Sequence, residues 1–152
     1  MSKEHIEHNL RVTADMIINY KDEGIVFIKR KYEPFKNQWA LPGGHLDSGK
    51  ENTLTAAIRE ALEETNLVIS AETVRLLGVY SDPERDPRGH YITVAYFCQV
   101  SEGELKALDD AKEIQVFPLE QLPEEMAFDH GRIMTDFKQR VLKESFFDQM
   151  GG

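Results

Sequence analysis

The stretch LPGGHLDSGKENTLTAAIREALEETNLVI, from Leu41 to Ile69, decides how this chain folds. Its second half predicts an α-helix from about Asn52 to Thr65, because apolar residues recur there at helical spacing. At about 100° of rotation per residue, one side of this helix collects Leu54, Ala57, Ile58, Ala61, Leu62 and Thr65. The roughly opposite side collects Glu60, Glu63 and Glu64. One face is therefore expected to pack, and the other to form a carboxylate cluster.

Strand patterns lie on both sides of this helix. The runs ADMIINY and GIVFIKR, separated by KDEG, predict two strands joined by a hairpin turn. The segment from Lys31 to Gly44 carries proline and glycine and predicts a loop, and VRLLGVY, HYITVAYFCQV and KEIQVFPL predict further strands. DHGRIMTDFKQRVLKE predicts a C-terminal helix, whose apolar residues are Ile133, Met134, Phe137, Val141 and Leu142. We expect an α/β (α+β) fold, with both helices packed on a mixed β-sheet.

The composition limits the number of domains and the classes of partner. A chain of 152 residues with 41% hydrophobic content suits one domain, 1–152, with its core from about 11 to 145. The 27 acidic and 18 basic residues give a net charge of −9, which argues against nucleic acid or an anionic membrane as partner. A single cysteine, Cys98, excludes an internal disulfide framework, and MSKEHIEHNL lacks the apolar run of a signal peptide. We expect a cytoplasmic protein.

The glutamates of the helix admit two interpretations. Charge runs often form a solvated face, although neighbouring like charges cost a few tenths of a kcal/mol per pair. Within the helix only Arg59 offers relief. Clustered carboxylates without basic partners are the hard ligands that Mg²⁺ or Mn²⁺ needs, and the preceding Gly43 and Gly44 allow close backbone approach to a substrate. The pattern therefore favours a divalent-metal platform.

This pattern resembles the Nudix box, the signature of hydrolases that split a nucleoside diphosphate linked to another moiety. The matching residues are Gly44, Glu51, Arg59, Glu60, Glu63, Glu64 and Leu67. The spacing from Glu51 to Arg59 fits the family pattern, but the loop before Glu51 has one residue more, which we place between His45 and Lys50. Asn66 replaces the usual glycine after the helix, and Asn is the next best residue for a left-handed helix end.

The resemblance implies an αβα sandwich and a metal-dependent mechanism. The implied metal ligands are Glu60, Glu63, Glu64 and Glu51. Arg59 would orient a glutamate through a charged hydrogen bond. Glu113 stands about where many family members carry the general base, although it also suits a solvated residue at a strand start. We expect Glu63→Gln and Glu64→Gln each to lower turnover about a hundredfold or more.

A second stretch, GVYSDPERDPRGHYITVAYF, bears on the substrate. Its Arg85 and Arg88 suit bidentate phosphate contacts, or they pair locally with Asp82 and Asp86 on a surface loop. Arg30, at the end of GIVFIKR, is a further phosphate ligand or a solvated strand-end residue. Together with NQWALPGG and MAFDHGRIMTD, the loop is similar to the ADP-ribose pyrophosphatase branch of the Nudix family.

The branch resemblance implies that the protein cleaves ADP-ribose to AMP and ribose 5-phosphate with Mg²⁺, and that it forms a homodimer. Two alternatives stay open. The first is a Nudix hydrolase of another substrate, a nucleoside triphosphate or a dinucleotide, because the box fixes the reaction and not the moiety beyond the phosphates. The second is a catalytically weak ADP-ribose sensor, which the irregular spacing at Lys50 keeps open.

Overall fold

The computed structural model describes residues 9–150, and their side chains as far as residue 144. Within this range the chain forms seven strands and two α-helices. The strands are β1 (Arg11–Tyr20), β2 (Gly24–Arg30), β3 (Trp39–Ala40), β4 (Gly43–His45), β5 (Arg75–Tyr80), β6 (Tyr91–Val100) and β7 (Ala111–Phe117). The helices are α1 (Thr53–Thr65) and α2 (His130–Met150). Neither helix combines the length and the apolar character needed to cross a bilayer.

The strands form one mixed sheet. Its order is β3-β2-β1-β6-β5, with β4 also paired to β1 and β7 also paired to β2. The β1–β6 pair is parallel along its whole length, from Arg11↔Tyr91 to Tyr20↔Val100. The pairs that join β1 to β2 and β4, β2 to β3 and β7, and β5 to β6 are antiparallel. The predicted mixed sheet and the hairpin at KDEG are confirmed.

The sheet lies between the two helices, because alternate residues of β1 point to opposite faces. Met16 and Ile18 pack in a core with the alanines of α1. Ile17 packs in a second core on the other face, with Ile133, Met134 and Phe137 of α2. The αβα sandwich is therefore confirmed.

Both ends of α1 are capped by asparagine. The Asn52 side chain accepts a hydrogen bond from the Thr55 N–H at 2.9 Å, which satisfies one of the free N–H groups of the first turn. Asn66 adopts a left-handed conformation with φ of 70° and donates its N–H to the Leu62 carbonyl. The structure confirms the helix bounds and the expected role of Asn66.

Three predictions about these elements were wrong. The segment predicted as a loop contains β3 and β4, which are too short to show a period of two. Leu62 and Leu142, predicted to pack, are 43% and 70% exposed, because each lies one residue, or about 100°, past the inward-facing Ala61 or Val141. Glu64, predicted on the outward face of α1, is buried with only 5% exposed.

The sheet opens beside β1. Near its end β1 pairs with β2 at Asn19 and Tyr20, whereas near its start it pairs with β4 from Thr13 to Asp15. The first part of β1 and the last part of β2 are therefore not direct neighbours. Residues of both strands line a cavity at this opening, under one end of α1.

Candidate active site

A cavity of about 310 Å³ lies at the opening of the sheet. Seven of the predicted site residues line it: Arg30, Gly43, Gly44, Glu60, Glu64, Arg85 and Arg88. Four others, Glu51, Arg59, Glu63 and Glu113, are not among its lining residues. The structure therefore brings acidic and basic candidates together in one cavity and divides the predicted metal ligands into two groups.

Glu60 and Glu64 form the acidic wall of the cavity. They are one helical turn apart on α1, and Glu64 Oε2 is buried without a hydrogen-bond partner. Burial raises the pKa of Glu64 well above its usual value, and the charge of Glu60 adds to this rise. Burial also raises the pKa of Glu60, although Arg59 opposes the rise. Both carboxylates thus lack a full complement of positive charge in the protein alone.

The glycines before α1 let the backbone approach these acids. A Cβ at Gly44 would lie 2.6 Å from the Glu60 carboxyl carbon. A Cβ at Gly43 would collide with the Asp15 side chain and the Ala14 carbonyl. The predicted close approach at Gly43 and Gly44 is therefore present, and it sets the spacing between β4 and α1.

Arg59 gathers the remaining acids outside the cavity. Its Nη2 donates to Glu51 Oε1 at 2.7 Å and its Nε to Glu51 Oε2 at 3.0 Å. Its Nη1 donates to Glu60 Oε1 at 3.0 Å and to Glu63 Oε2 at 3.1 Å. The hydrogen bond from Arg59 lowers the pKa of Glu51. Glu51 and Glu63 are therefore neutralised by a guanidinium, whereas Glu64 is not.

The segment from His45 to Lys50, where we predict the extra residue, contains an exposed turn. Residues 48–50 form this turn, and Lys50 N–H donates to the Asp47 carbonyl at 3.1 Å. The Lys50 side chain is 77% exposed and lies 4.0 Å from the Asp47 carboxylate. The turn leaves Glu51 within reach of Arg59, so the insertion does not displace the acid from its partner.

Arg85 and Arg88 reach the cavity wall, but each already holds a carboxylate. Arg85 binds Asp129 through Nη2 at 2.6 Å and Nε at 2.9 Å, so the expected local partner Asp82 was wrong. Arg88 binds Asp86 at 2.8 and 3.1 Å, as the local alternative predicted. The loop between β5 and β6 is thereby fastened to the start of α2 through Arg85.

Arg30 differs from these two arginines. Its Nε donates to the Pro34 carbonyl at 2.7 Å, and its guanidinium lies over the Phe128 ring, 4.9 Å from the centroid. Among the described residues no carboxylate lies within ion-pair distance of it. Burial and the nearby Arg88 lower the pKa of Arg30, which means that its charge is poorly compensated.

Glu113 is not brought to the cavity. It lies on β7 with 55% of its side chain exposed, and its nearest cation is Lys29 Nζ at 3.6 Å. Glu113 pairs with Lys29 of β2. Neither residue lines the cavity, whereas Ile28, the residue before Lys29, does. Asp110, just before β7, does line the cavity, and its charge acts on both Glu64 and Arg30.

Sequence reasoning missed several further cavity residues. The Asp15 carboxylate accepts a hydrogen bond from Thr93 Oγ1 at 2.6 Å. His130 Nδ1 accepts from the Leu41 N–H at 3.0 Å, and its Nε2 faces Asp15 at 3.7 Å. Burial lowers the pKa of His130, so this histidine is neutral. The segment MAFDHGRIMTD is part of the family resemblance, but nothing in its residue spacing marks His130 as a residue of the site.

The acidic wall fits a hard divalent cation. The unpartnered Glu64 Oε2 beside Glu60 offers the carboxylate oxygens that Mg²⁺ or Mn²⁺ prefers. Within the described residues no three His, Cys, Asp or Glu side chains already converge on one point. This arrangement suits Mg²⁺, which commonly binds through one or two carboxylates and completes its octahedron with waters and substrate phosphates.

Comparison with known proteins agrees with the fold. The NUDIX domain model matches residues 9–137. An ADP-ribose pyrophosphatase of Methanocaldococcus jannaschii is 50% identical over 126 residues, 83% of this chain and 72% of that protein. The ADPR responsive transcriptional repressor NtrR of Acinetobacter baylyi is 34% identical over 136 residues, 86% of this chain and 54% of the repressor.

Solved structures give the same result. The crystal structure of a MutT/nudix family protein from Enterococcus faecalis superposes with a TM-score of 0.82 at 33% identity, over 93% of this chain and 66% of that one. The chain thus spans about two thirds of the Enterococcus protein and about half of the Acinetobacter repressor. Since the family model covers most of the sequence and the archaeal relative is half identical, this chain belongs to the Nudix hydrolase family.

Proposed function

We propose that this protein hydrolyses the diphosphate bond of ADP-ribose to give AMP and ribose 5-phosphate, with Mg²⁺ or Mn²⁺ as cofactor. One observation carries the proposal: the buried Glu64 carboxylate, whose Oε2 has no hydrogen-bond partner, lines the same cavity as Arg30, which has no carboxylate within ion-pair distance among the described residues. A metal ion would neutralise the Glu64 carboxylate, and a diphosphate would neutralise the Arg30 guanidinium. The half-identical archaeal relative, an ADP-ribose pyrophosphatase, supports the choice of substrate.

Glu60 and Glu64 are the residues that hold the metal in this proposal. When bound, the metal neutralises phosphate charge and lowers the pKa of a coordinated water. Arg59 fixes the orientation of Glu60 through its 3.0 Å hydrogen bond. The role of Glu51 and Glu63 as further metal ligands remains a prediction, because both accept hydrogen bonds from Arg59 and neither lines the cavity.

The basic wall of the cavity binds the substrate. Arg30 is the proposed phosphate ligand, since a guanidinium forms a bidentate contact with phosphate oxygens. Arg88 also lines the cavity. Its Nε and Nη2 donate to Asp86, and its Nη1 group is available to a phosphate. Arg85 holds Asp129 with two hydrogen bonds and therefore serves mainly to position the loop.

A carboxylate is also available to accept the proton of an attacking water. Asp110 lines the cavity, and we propose it as an alternative to Glu113. The role of Glu113 as general base remains a prediction, which the variant Glu113→Gln tests. The cytoplasmic location and the homodimer remain predictions from the sequence.

A second candidate function is ADP-ribose sensing without efficient turnover. The similarity to the Acinetobacter repressor favours it. The four acids of the Nudix box and the unpartnered Glu64 oxygen favour the enzyme, because a pure binding site has no need for a buried carboxylate pair that lacks a cation.

A substrate panel separates these functions. The purified protein is assayed with ADP-ribose, NADH, a diadenosine polyphosphate and oxidised dGTP, each with Mg²⁺ and with a chelator. We expect ADP-ribose to have the highest kcat/KM and the chelator to abolish turnover. A higher kcat/KM for a triphosphate would overturn the substrate, and tight ADP-ribose binding without turnover would identify a sensor.

A further inference from the structure

Phe128 has an unusual backbone conformation at the cavity wall. Its φ is +54°, a left-handed value that residues other than glycine, asparagine and aspartate rarely adopt. The neighbouring residues hold it there on both sides. The Ala127 N–H donates to the Trp39 carbonyl at 2.8 Å, and the Asp129 carboxylate is bound by Arg85. Such conformations persist where the surroundings determine them, and they cluster at functional sites.

This conformation places the Phe128 ring among cations and other rings. The guanidinium carbon of Arg30 lies 4.9 Å from the ring centroid and that of Arg88 lies 5.8 Å from it. Phe35 meets the ring edge to face at 4.8 Å, and the His130 ring lies 5.4 Å away. The ring is thus fixed by packing against Phe35 and His130 while it contacts two guanidinium groups.

Arg30 depends on this ring more than Arg88 does. Arg88 has Asp86 as a bidentate partner and also lies 4.7 Å from the Tyr91 centroid. Within the part of the chain that the structure describes, the Arg30 side chain has only the Pro34 carbonyl and the Phe128 ring as direct partners. A ring face attracts a cation without neutralising it, so the guanidinium keeps its capacity to bind an anion.

We propose that Phe128 is a positioning residue, whose ring holds the Arg30 guanidinium at the cavity wall, where Arg30 binds the diphosphate of the substrate. The assignment of the diphosphate rests on the function proposed above. The left-handed backbone and the Arg85–Asp129 pair serve to present the ring. A carboxylate in place of the ring would neutralise Arg30 and compete with the phosphate.

The test combines ring removal with a matched control. Phe128→Leu keeps an apolar side chain but removes the ring, and Phe128→Tyr keeps the ring. Phe97→Leu is the control, because the Phe97 ring also contacts two guanidinium groups, those of Arg75 and Arg140, but does not line the cavity. We expect Phe128→Leu to raise KM for ADP-ribose about threefold to thirtyfold, with kcat within about twofold. Phe128→Tyr and Phe97→Leu are expected to stay within about twofold of the parent protein.

A double-mutant cycle shows whether the effect passes through Arg30. Arg30→Ala is expected to raise KM about tenfold to a hundredfold. In that background Phe128→Leu should add less than about twofold, because the group that the ring positions is gone. A full additional effect of Phe128→Leu would show that Phe128 acts directly on the substrate and would overturn the proposal. Equal effects of Phe128→Leu and Phe97→Leu would also overturn it.

Binding of inorganic pyrophosphate separates this proposal from the proposed function. Its affinity is measured by calorimetry in the parent protein and in the same variants, without any turnover. Weaker binding in Phe128→Leu and Arg30→Ala supports the positioning role even if ADP-ribose is not hydrolysed. Unchanged binding in Arg30→Ala overturns it. If Phe128→Leu fails to fold by circular dichroism, Phe128→Met takes its place.

Discussion

Two pairs of glutamates from one sequence motif occupy different environments. Glu60 and Glu64 face the cavity, and Glu64 Oε2 is buried without a partner. Glu51 and Glu63 lie outside it, and both accept hydrogen bonds from Arg59. The four side chains are of one type, but burial raises the pKa of both members of the cavity pair, whereas the hydrogen bond from Arg59 lowers the pKa of Glu51.

The difference shows how one arginine divides a set of like charges. Arg59 lies between the pairs and donates to Glu51, Glu60 and Glu63, but not to Glu64. A carboxylate that is hydrogen-bonded to a cation is stable as an anion, whereas a buried one without a partner requires another source of positive charge. The cavity pair is thus suited to bind metal, and the outer pair to hold Arg59.

The largest expected effect separates Glu64 from Glu63. Glu64→Gln keeps the shape but removes the charge that would hold the metal, so turnover of ADP-ribose at saturating Mg²⁺ is expected to fall about a hundredfold to a thousandfold. Glu63→Gln is the matched variant on the same helix, and we now expect a smaller loss than the sequence indicated. Equal losses in the two variants, measured as kcat, would remove the distinction between the pairs.

The same comparison extends to the two acids near β7. Asp110 lines the cavity, whereas Glu113 pairs with Lys29 outside it. If Asp110 accepts the proton, Asp110→Asn should lower kcat on the order of a hundredfold, and Glu113→Gln should change it by less than about twofold. The pH dependence of kcat/KM checks the assignment, since loss of a general base removes its acidic limb. A large loss in Glu113→Gln alone would restore the original prediction.

A smaller effect is expected when Arg59 is changed. Arg59→Lys keeps a positive charge but cannot bind both oxygens of Glu51 while it reaches Glu60 and Glu63. We expect about a tenfold loss of Mg²⁺ affinity, as for other groups that orient metal ligands. The measurement is the Mg²⁺ concentration that gives half-maximal turnover. An unchanged Mg²⁺ requirement would mean that Arg59 does not organise the acids.

The smallest effect concerns stability without metal. Because burial raises the pKa of Glu64 in the folded protein above the ordinary glutamate value of 4.5, the folded state binds more protons than the unfolded state above that pH. Its stability should therefore fall as the pH rises from about 4.5 towards the folded pKa. Glu64→Gln should lose less stability over this range, and Mg²⁺ should stabilise the parent protein more than the variant. Thermal unfolding at pH 5 and pH 8, with and without Mg²⁺, measures both effects.

The sequence predicted what local patterns determine. The bounds of α1, its Asn66 cap, the hairpin and the mixed sheet followed from periodicity and turn residues, and the resemblance of the box to a known family identified Glu60, Glu64 and Arg59. The assignment of Glu64 to the outward face failed, because at about 100° per residue Glu64 stands about 20° from the buried Ala57. The strands β3 and β4 are too short to show the alternation of two residue types that predicts a strand.

Contacts between segments that are distant along the chain could not be predicted from the sequence. Asp129 is the partner of Arg85 across 44 residues of sequence, and His130 accepts from Leu41 across 89. No spacing rule relates such positions, because the packing of α2 against the sheet brings them together. For the same reason the sequence suggested Asp82 and Asp86, acids of the same loop, as the partners of Arg85 and Arg88.

The exposed turn at residues 48–50 offers a position for a reporter group. A Cβ at Gly49 would meet no atom within 4 Å, and the neighbouring Lys50 side chain points into solvent. The Asp47 N–H nevertheless donates to Glu51 Oε1 at 2.9 Å, which links this turn to the Arg59 cluster. A fluorophore attached to Lys50→Cys, with Cys98 replaced by serine, would therefore stand outside the cavity and next to Glu51, a predicted metal ligand. Such a label would report cation binding in real time, without a substrate and without a change to any residue of the site.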